Sequence, residues 1–147
     1  MMTDKARAAV DILRDYRHYD RRIDEIQSRI AMCRDMATRA TSSYNAGCAS
    51  GTSGRSRVET AVTQIVALER QMQRTIADAV QRRTAVQNAI NCIGSEANKR
   101  MLELRYIDGR SWQYIMQVMY ISHTTSYRIH IQALEEFWDA YQKLETP

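Results

Sequence analysis

Proline is almost absent from this 147-residue sequence, where its single copy is the last residue, Pro147. Glycine occurs five times, and three of those glycines fall within residues 41–57. Proline removes a helical hydrogen bond and glycine lowers helix stability, so long segments without either residue permit uninterrupted helices. The scarcity of both, together with the apolar spacing described below, predicts an all-α protein.

Long apolar runs are also missing, because none approaches the roughly 20 residues that a membrane-spanning helix requires. The N-terminal residues lack the apolar core of a signal peptide. The three cysteines, Cys33, Cys48 and Cys92, have neither CxxC spacing nor a histidine at zinc-ligand spacing. We therefore expect a cytoplasmic protein with no membrane contact and with free thiols.

Patterns that carry catalysis are not found either. The three histidines are scattered, and no Ser/His/Asp or Cys/His constellation has supporting context. The Gly- and Ser-rich residues 41–57 lack the GxxxxGK[ST] order of a phosphate-binding loop. We expect no catalytic residue, no metal and no cofactor, so the protein is not expected to be an enzyme.

Arginine, in contrast, is abundant: 18 of the 21 basic residues are Arg, and the net charge is +4. The arginine guanidinium can form paired hydrogen bonds with phosphates and base edges, so this bias favours nucleic-acid binding. The charge is uneven, with net +5 over residues 1–94 and net −1 over residues 95–147. The negative balance of the C-terminal part argues against strong nonspecific DNA affinity there.

Two long helices are predicted in the first two thirds of the chain. Apolar residues recur at steps of three and four from about Asp4 to about Thr38, and again from near Arg57 to Ile93. Glu69 and Arg83 interrupt the second pattern. This rhythm is typical of a coiled-coil seam.

Residues 41–57 are predicted to form a flexible loop between these helices, which are of similar length. Equal amphipathic helices joined by a flexible loop indicate a long antiparallel helical hairpin, coiled-coil-like, over residues 1–94. Further apolar residues beside the seam favour a homodimer built through a four-helix bundle. The alternative is that residues 95–147 fold back and cover this surface.

The C-terminal part, residues 95–147, reads as three helices separated by short turns. Serine is a preferred helix N-cap, and one serine precedes each predicted helix. Asp108-Gly109 and Tyr120-Ile121 supply the two turns. Three short helices with these caps and turns predict a helix-turn-helix unit. The capping residues are Ser95, Ser111 and Ser122.

The segment RYIDGRSWQYI…M…S…YRIHIQAL, which begins at Arg105 and ends at Leu134, resembles region 4 of bacterial sigma factors. It is more similar still to phage-encoded, sigma-region-4-like transcriptional regulators of the RinA/ArpU type. The specific motif covers about 40 residues, and a looser similarity extends over most of the chain. The resemblance implies a phage or prophage regulator that binds double-stranded promoter DNA and contacts RNA polymerase.

The resemblance also implies where DNA is contacted. Its base-facing and phosphate-facing slots on the third helix fall on His123, Thr124, Thr125, Tyr127 and Arg128. Thr124 and Thr125 occupy the first turn, and Arg128 has the geometry for guanine or phosphate. A candidate backbone clamp, Arg110, precedes the second helix.

Two residues depart from the pattern of sigma region 4. Tyr120 stands in a turn slot that is usually Gly, where a left-handed backbone is costly for tyrosine. Met116 replaces the usual small Ala, which spaces the two helices further apart. Both departures threaten DNA affinity more than the fold.

Two other functions stay open at this point. A sigma-like adaptor that docks on RNA polymerase without reading DNA itself is favoured by the net −1 charge of residues 95–147. The small subunit of a phage DNA-packaging enzyme also joins a helix-turn-helix to a helical hairpin. In those proteins the helix-turn-helix usually comes first, so this possibility ranks last.

Overall fold

The computed structural model describes residues 1–45 and 52–146, and no strand occurs among them. Helices account for most of these residues, which confirms the all-α prediction. None of the helices in the described part of the chain is long and apolar enough to cross a membrane. The elements in order are α1 (Asp4–Asn45), α2 (Thr52–Asn91), α3 (Glu96–Leu102), a π-helical turn (Glu103–Ile107), α4 (Trp112–Met119) and α5 (His123–Glu145).

The first two helices are longer than their apolar patterns predict. α1 continues past Thr38 to Asn45, and α2 begins at Thr52 rather than near Arg57. The hydroxyls of Thr38 and Thr41 donate to carbonyls four residues earlier, each at 2.9 Å. Such back-bonding lets hydroxyl residues stay helical, because their polar groups are satisfied by the helix itself.

The predicted flexible loop over residues 41–57 is therefore helical at both of its ends. Its central residues 46–51, which include Cys48, lie outside the described residues. The prediction overestimated the connector because Ser, Thr and Gly favour turns by local propensity alone, and propensity is only a weak guide.

The described chain divides into two compact units. Unit 1 comprises Met1–Asp20 and Gln81–Pro147, and unit 2 comprises Arg21–Val80. Gly94, where the sequence predicted a boundary between residues 1–94 and 95–147, lies within unit 1. The beginning of α1 and the end of α2 thus belong to the same unit as α3, α4 and α5.

Unit 1 has a closed hydrophobic core. Leu13 of α1, Val86 of α2 and Phe137 of α5 are almost completely buried in one cluster with Leu102 of α3. A smaller cluster of Met101, Leu104 and Ile115 joins α3, the π-turn and α4. The other buried members of the first cluster are Ala6, Ala9, Val10, Tyr16, Ala89, Ile90, Ile93, Tyr106, Ala133 and Leu134.

Unit 2 buries one face of α1 but leaves much of α2 half-exposed. The buried α1 residues recur at three- and four-residue steps, as its predicted seam requires. On α2 the predicted seam positions Ile65, Met72 and Ile76 are only half-buried. The buried residues of this stretch of α1 are Ile23, Ile26, Ile30 and Cys33.

The two charged residues that interrupt the α2 pattern each contact an opposite charge on α1. In unit 2 the Arg34 guanidinium lies 2.8 Å from the Glu69 carboxylate. In unit 1 the Arg83 guanidinium lies 2.8 Å from the Asp20 carboxylate. Ion pairs that remain partly exposed to solvent contribute little to stability, typically below about 1 kcal/mol.

Candidate nucleic-acid interface

α4 begins and ends as its sequence predicts. The Ser111 hydroxyl accepts a hydrogen bond from the Tyr114 backbone N–H at 3.2 Å, which confirms the predicted N-cap. After Met119 the chain adopts a left-handed conformation at Tyr120, with φ 55° and ψ 48°. The Ile121 N–H then donates to the Met116 carbonyl at 3.1 Å, a helix ending of the Schellman type.

Tyr120 is the one non-glycine residue with positive φ in the described chain. The expectation that this slot needs a left-handed backbone is confirmed. A left-handed conformation costs an L-residue roughly 1 kcal/mol, because its Cβ crowds the neighbouring carbonyl. The side chain is 94% exposed, so no burial of its ring offsets that cost.

α5 starts immediately after this turn. The Ser122 hydroxyl accepts from the Thr125 backbone N–H at 3.2 Å, which confirms the third predicted cap. The same hydroxyl donates to the Thr125 hydroxyl oxygen at 3.0 Å. Ser126, which is buried, donates to the His123 carbonyl at 2.6 Å. The first turn of α5 is therefore fixed by three short polar contacts.

The two faces of α5 differ sharply in burial. Ser126, His130, Ala133, Leu134 and Phe137 are buried and form the inner face. Four of the predicted DNA-contacting residues are exposed and, with spacing i, i+1, i+4 and i+5, follow one side of the helix next to the inner face. We call these four the outer face of α5: His123, Thr124, Tyr127 and Arg128.

Thr125 does not share this outer face. Its side chain is half-buried, and its hydroxyl accepts the hydrogen bond from Ser122. Its methyl and backbone lie in the first turn of α5, but its hydroxyl is already used within the cap. Of the five residues predicted on this helix, the structure thus brings four together and assigns the fifth to capping.

The sixth predicted residue, Arg110, lies in the turn before α4 and is exposed. Its guanidinium carbon is 4.8 Å from the centroid of the Tyr114 ring, and that ring is itself partly exposed. The Arg105 guanidinium donates to the Arg110 carbonyl at 3.0 Å, while the Arg110 N–H donates to the Leu104 carbonyl. Both the backbone and the side chain of Arg110 are therefore held in place.

A polar contact beneath α5 was not anticipated from the sequence. The His130 Nε2 and the Tyr106 hydroxyl lie 2.8 Å apart, in a buried pair of stacked rings. Trp112 packs edge-on against the same imidazole at 4.7 Å, and the Arg105 guanidinium lies 4.7 Å above the Trp112 ring. His130 thus contacts the π-turn and α4.

Burial lowers the pKa of His130 from 6.5 to about 4, and the nearby Arg105 charge adds to this decrease. Burial also raises the pKa of the Tyr106 hydroxyl. The imidazole is therefore neutral at pH 7 and contributes no positive charge to the α5 surface. The positive charge of the outer face comes from Arg128, while Arg110 lies in the turn before α4.

Acidic residues are absent from the whole segment that forms α4, the turn and the first half of α5. The 26 residues from Gly109 to Leu134 contain no Asp or Glu, and they include the two arginines. The net −1 of residues 95–147 therefore arises from acids on either side of this segment. This local charge pattern was readable in the sequence, but averaging over the whole C-terminal part concealed it.

Three of the four acids that follow this segment on α5 are engaged elsewhere in unit 1. They face the start of α1 and the start of α3, where they meet hydrogen-bond donors or a cation. The contacts are Thr3 to Glu135 at 2.9 Å, Asn98 to Glu136 at 2.9 Å, and Lys5 to Asp139 at 3.1 Å.

No group of three or more potential metal-ligating side chains occurs among the described residues. Cys33 is buried and Cys92 is exposed, and both are free thiols. Cys92 lies just after the end of α2 at Asn91 and before Gly94.

Comparison with known proteins gives one family. The model of a family described as a protein of unknown function, DUF1492, matches residues 39–137, which extend from the end of α1 to Phe137 of α5. No curated protein and no solved structure gave a significant match.

Proposed function

We propose that this chain, which belongs to the DUF1492 family of proteins of unknown function, is a transcriptional regulator of phage or prophage origin. It binds promoter DNA by inserting α5 into the major groove. The mechanism involves no chemistry: the bound protein positions RNA polymerase at a promoter. The resemblance of residues 105–134 to sigma region 4 and to regulators of the RinA/ArpU type motivates this proposal.

The proposal interprets α1 and α2 as an antiparallel helical hairpin and α3, α4 and α5 as a helix-turn-helix unit. The cross-helix pairs Arg34–Glu69 and Asp20–Arg83 support the hairpin, because residues further along α1 pair with residues earlier in α2. The left-handed Tyr120 and the Ser122 cap support the second interpretation. The division at Gly94 into a hairpin and a DNA-binding unit is part of the same proposal.

The observation that carries the DNA-binding proposal is the combination of an exposed outer face on α5 and an acid-free segment around it. A carboxylate near the groove would repel phosphates, and none occurs between Gly109 and Leu134. The inner face of α5 packs into the core of unit 1, so the helix is held rigidly with its outer face free of that core. A rigid element can hold base-contacting side chains in place.

Each residue then has a role that follows from its chemistry. Thr124 and Arg128 contact base edges, since a guanidinium fits guanine O6 and N7 and a threonine methyl fits a thymine methyl. Tyr127 and Arg110 contact phosphates, and the stack on Tyr114 limits where the Arg110 guanidinium can point. His123, at the start of α5, contacts either a base edge or a phosphate.

A selection experiment tests the proposal. The full-length protein selects from a pool of random duplexes at about physiological salt, and the bound sequences are read. We expect an enriched motif, and for a homodimer an inverted repeat with half-sites about one helical turn apart. The Thr124→Ala/Arg128→Ala variant serves as the matched control and loses the enrichment. No enrichment by the unaltered protein would overturn the proposal.

The homodimer in this proposal is supported by unit 2. Large apolar side chains remain exposed there on both α1 and α2, because two helices alone cover only part of their apolar surface. A second hairpin would cover these side chains in a four-helix bundle. The exposed residues are Met32, Met36, Val66, Leu68 and Val80.

The same apolar residues support a second candidate function, an adaptor that docks on RNA polymerase without reading DNA. In that case the exposed surface of unit 2 binds polymerase. Capture of purified bacterial RNA polymerase by the protein would then survive Arg128→Ala and be lost in Met32→Glu/Met36→Glu. A regulator that reads DNA instead loses promoter binding in Arg128→Ala.

A further inference from the structure

The turn between α4 and α5 exposes a tyrosine in an unfavourable backbone conformation. Tyr120 has φ 55°, a region that glycine enters freely and that L-residues with a Cβ avoid. Its ring is 94% exposed and lies in neither hydrophobic cluster of unit 1. Neither the backbone nor the core therefore explains why this position carries tyrosine instead of glycine.

The residues on either side of Tyr120 fix its direction. Ile121 packs against the cluster of Met101, Leu104 and Ile115, and its N–H is bonded to the Met116 carbonyl. Ser122 caps α5. Because Tyr120 lies between the end of α4 and this core contact, its backbone is fixed. Its phenol therefore projects from a rigid turn.

We infer that Tyr120 is a further DNA-binding residue, whose phenol hydroxyl donates to a phosphate at the edge of the groove that α5 enters. The inference rests on the proposed function. Persistent strain at an exposed position points to a ligand contact, because folding gains nothing from it. Tyrosine is well suited to this contact, since it has few rotatable bonds and one polar group at its tip.

The position of the turn fits a phosphate better than a base. Tyr120 is three residues before His123, so its Cα lies at most about 11 Å from that of the first residue of α5. The major groove is about 12 Å wide, and phosphates line both of its edges. Tyr120 lies in the turn before α5 and not on its outer face, so with that face at the bases its side chain is placed for a phosphate at the edge of the groove.

Two substitutions separate this role from a structural one. Tyr120→Gly removes the side chain and relieves the left-handed strain, whereas Tyr120→Phe keeps the ring and removes only the hydroxyl. We expect Tyr120→Gly to raise Tm by about 2 to 4 °C and Tyr120→Phe to leave it unchanged. Both variants should bind a selected duplex about 10-fold more weakly or worse, the range for loss of one hydrogen bond to a charged group.

The salt dependence of binding provides an independent readout. A phenol carries no charge, so neither variant should change the slope of log K against log salt, whereas loss of an arginine–phosphate contact lowers it by about one. Arg110→Ala is the control that should lower the slope. Fluorescence anisotropy with the labelled duplex, at several salt concentrations, measures both affinity and slope.

Each outcome has a definite meaning. Weaker binding by both variants, with Tyr120→Gly more stable than the unaltered protein, supports the inference. Unchanged affinity in both variants overturns it while leaving the proposed function intact. Weaker binding by Tyr120→Gly alone also overturns it, because the hydroxyl is then not the donor. If the unaltered protein binds no duplex, the proposed function itself fails and the inference falls with it.

Discussion

Unit 1 and unit 2 are built from the same two long helices, yet they bury their apolar residues to different degrees. The largest fully buried side chains of the described chain, among them Leu13, Phe137 and Leu134, all belong to unit 1. Unit 2 has no side chain in that group, and Met32 is 64% exposed there. The difference shows what additional helices contribute: where α3, α4 and α5 join α1 and α2, the core closes.

The first prediction compares one substitution in both units. Leu134→Ala in unit 1 removes a side chain with no exposed surface and should lower the free energy of unfolding by about 3 to 5 kcal/mol. Leu68→Ala in unit 2 removes a side chain that is 43% exposed and should cost less than about 1 kcal/mol. Urea denaturation below any dimerisation concentration measures both, and equal losses would contradict the comparison.

A second prediction uses the buried imidazole of unit 1. The pKa of His130 is about 4 in the folded protein and is close to the ordinary 6.5 when unfolded. Between these values the unfolded chain binds a proton that the folded chain does not, so stability falls as the pH drops from 6.5 to 4. The loss is on the order of 3 kcal/mol over that window.

His130→Gln is the control for this pH effect. Glutamine retains a hydrogen-bonding group near the Tyr106 hydroxyl but does not titrate, so its stability should vary less between pH 6.5 and 4. Urea denaturation at half-unit pH intervals makes the comparison. The same pH slope in both proteins would show that His130 is not buried as described.

The features of unit 1 differ in how far the sequence revealed them. The Ser95, Ser111 and Ser122 caps were predictable because a cap is a local contact with a backbone three residues away. The His130–Tyr106 pair was not, since its two residues lie 24 positions apart and meet only after folding. The π-turn at Glu103–Ile107, which carries Tyr106, has no recognisable sequence signal of its own.

The residues of the candidate site also differ in how far the sequence revealed them. Helical spacing alone groups His123, Thr124, Tyr127 and Arg128 on one face of α5, and the structure leaves that face exposed. Thr125 does not belong to this face, because its hydroxyl is hydrogen-bonded to the Ser122 hydroxyl. Helical spacing alone does not reveal that contact. The stacking of Arg110 on Tyr114 is likewise a contact that helical spacing does not reveal.

A third prediction addresses the incomplete burial in unit 2. If a second copy covers its apolar surface, Met32→Glu/Met36→Glu should weaken dimerisation by roughly 30-fold or more, about 2 kcal/mol, while helicity is retained. Gln27→Glu, at an exposed polar position of α1, is the control for added charge. Analytical ultracentrifugation measures the association constant, and a monomeric unaltered protein would contradict the dimer.

The smallest expected effect concerns the caps of unit 1. Ser111→Ala and Ser122→Ala should each lower the free energy of unfolding by about 1 kcal/mol, because each leaves one backbone N–H without its side-chain acceptor. Ser28→Ala in unit 2 should change it by less than about 0.5 kcal/mol, since that hydroxyl only bonds back to Asp24 within the helix. Thermal denaturation resolves the three variants, and equal effects would argue that the caps are not formed in solution.

The proposed binding of duplex DNA by the outer face of α5 can be tested with one pair of variants. The affinities of Arg128→Ala and of Arg29→Ala, an exposed arginine in unit 2, are measured for a duplex selected by the unaltered protein. We expect Arg128→Ala to bind about 10-fold more weakly or worse, the range for a bidentate base contact, while Arg29→Ala stays within about twofold. Equal affinities in the two variants, or an equal loss in both, would contradict it.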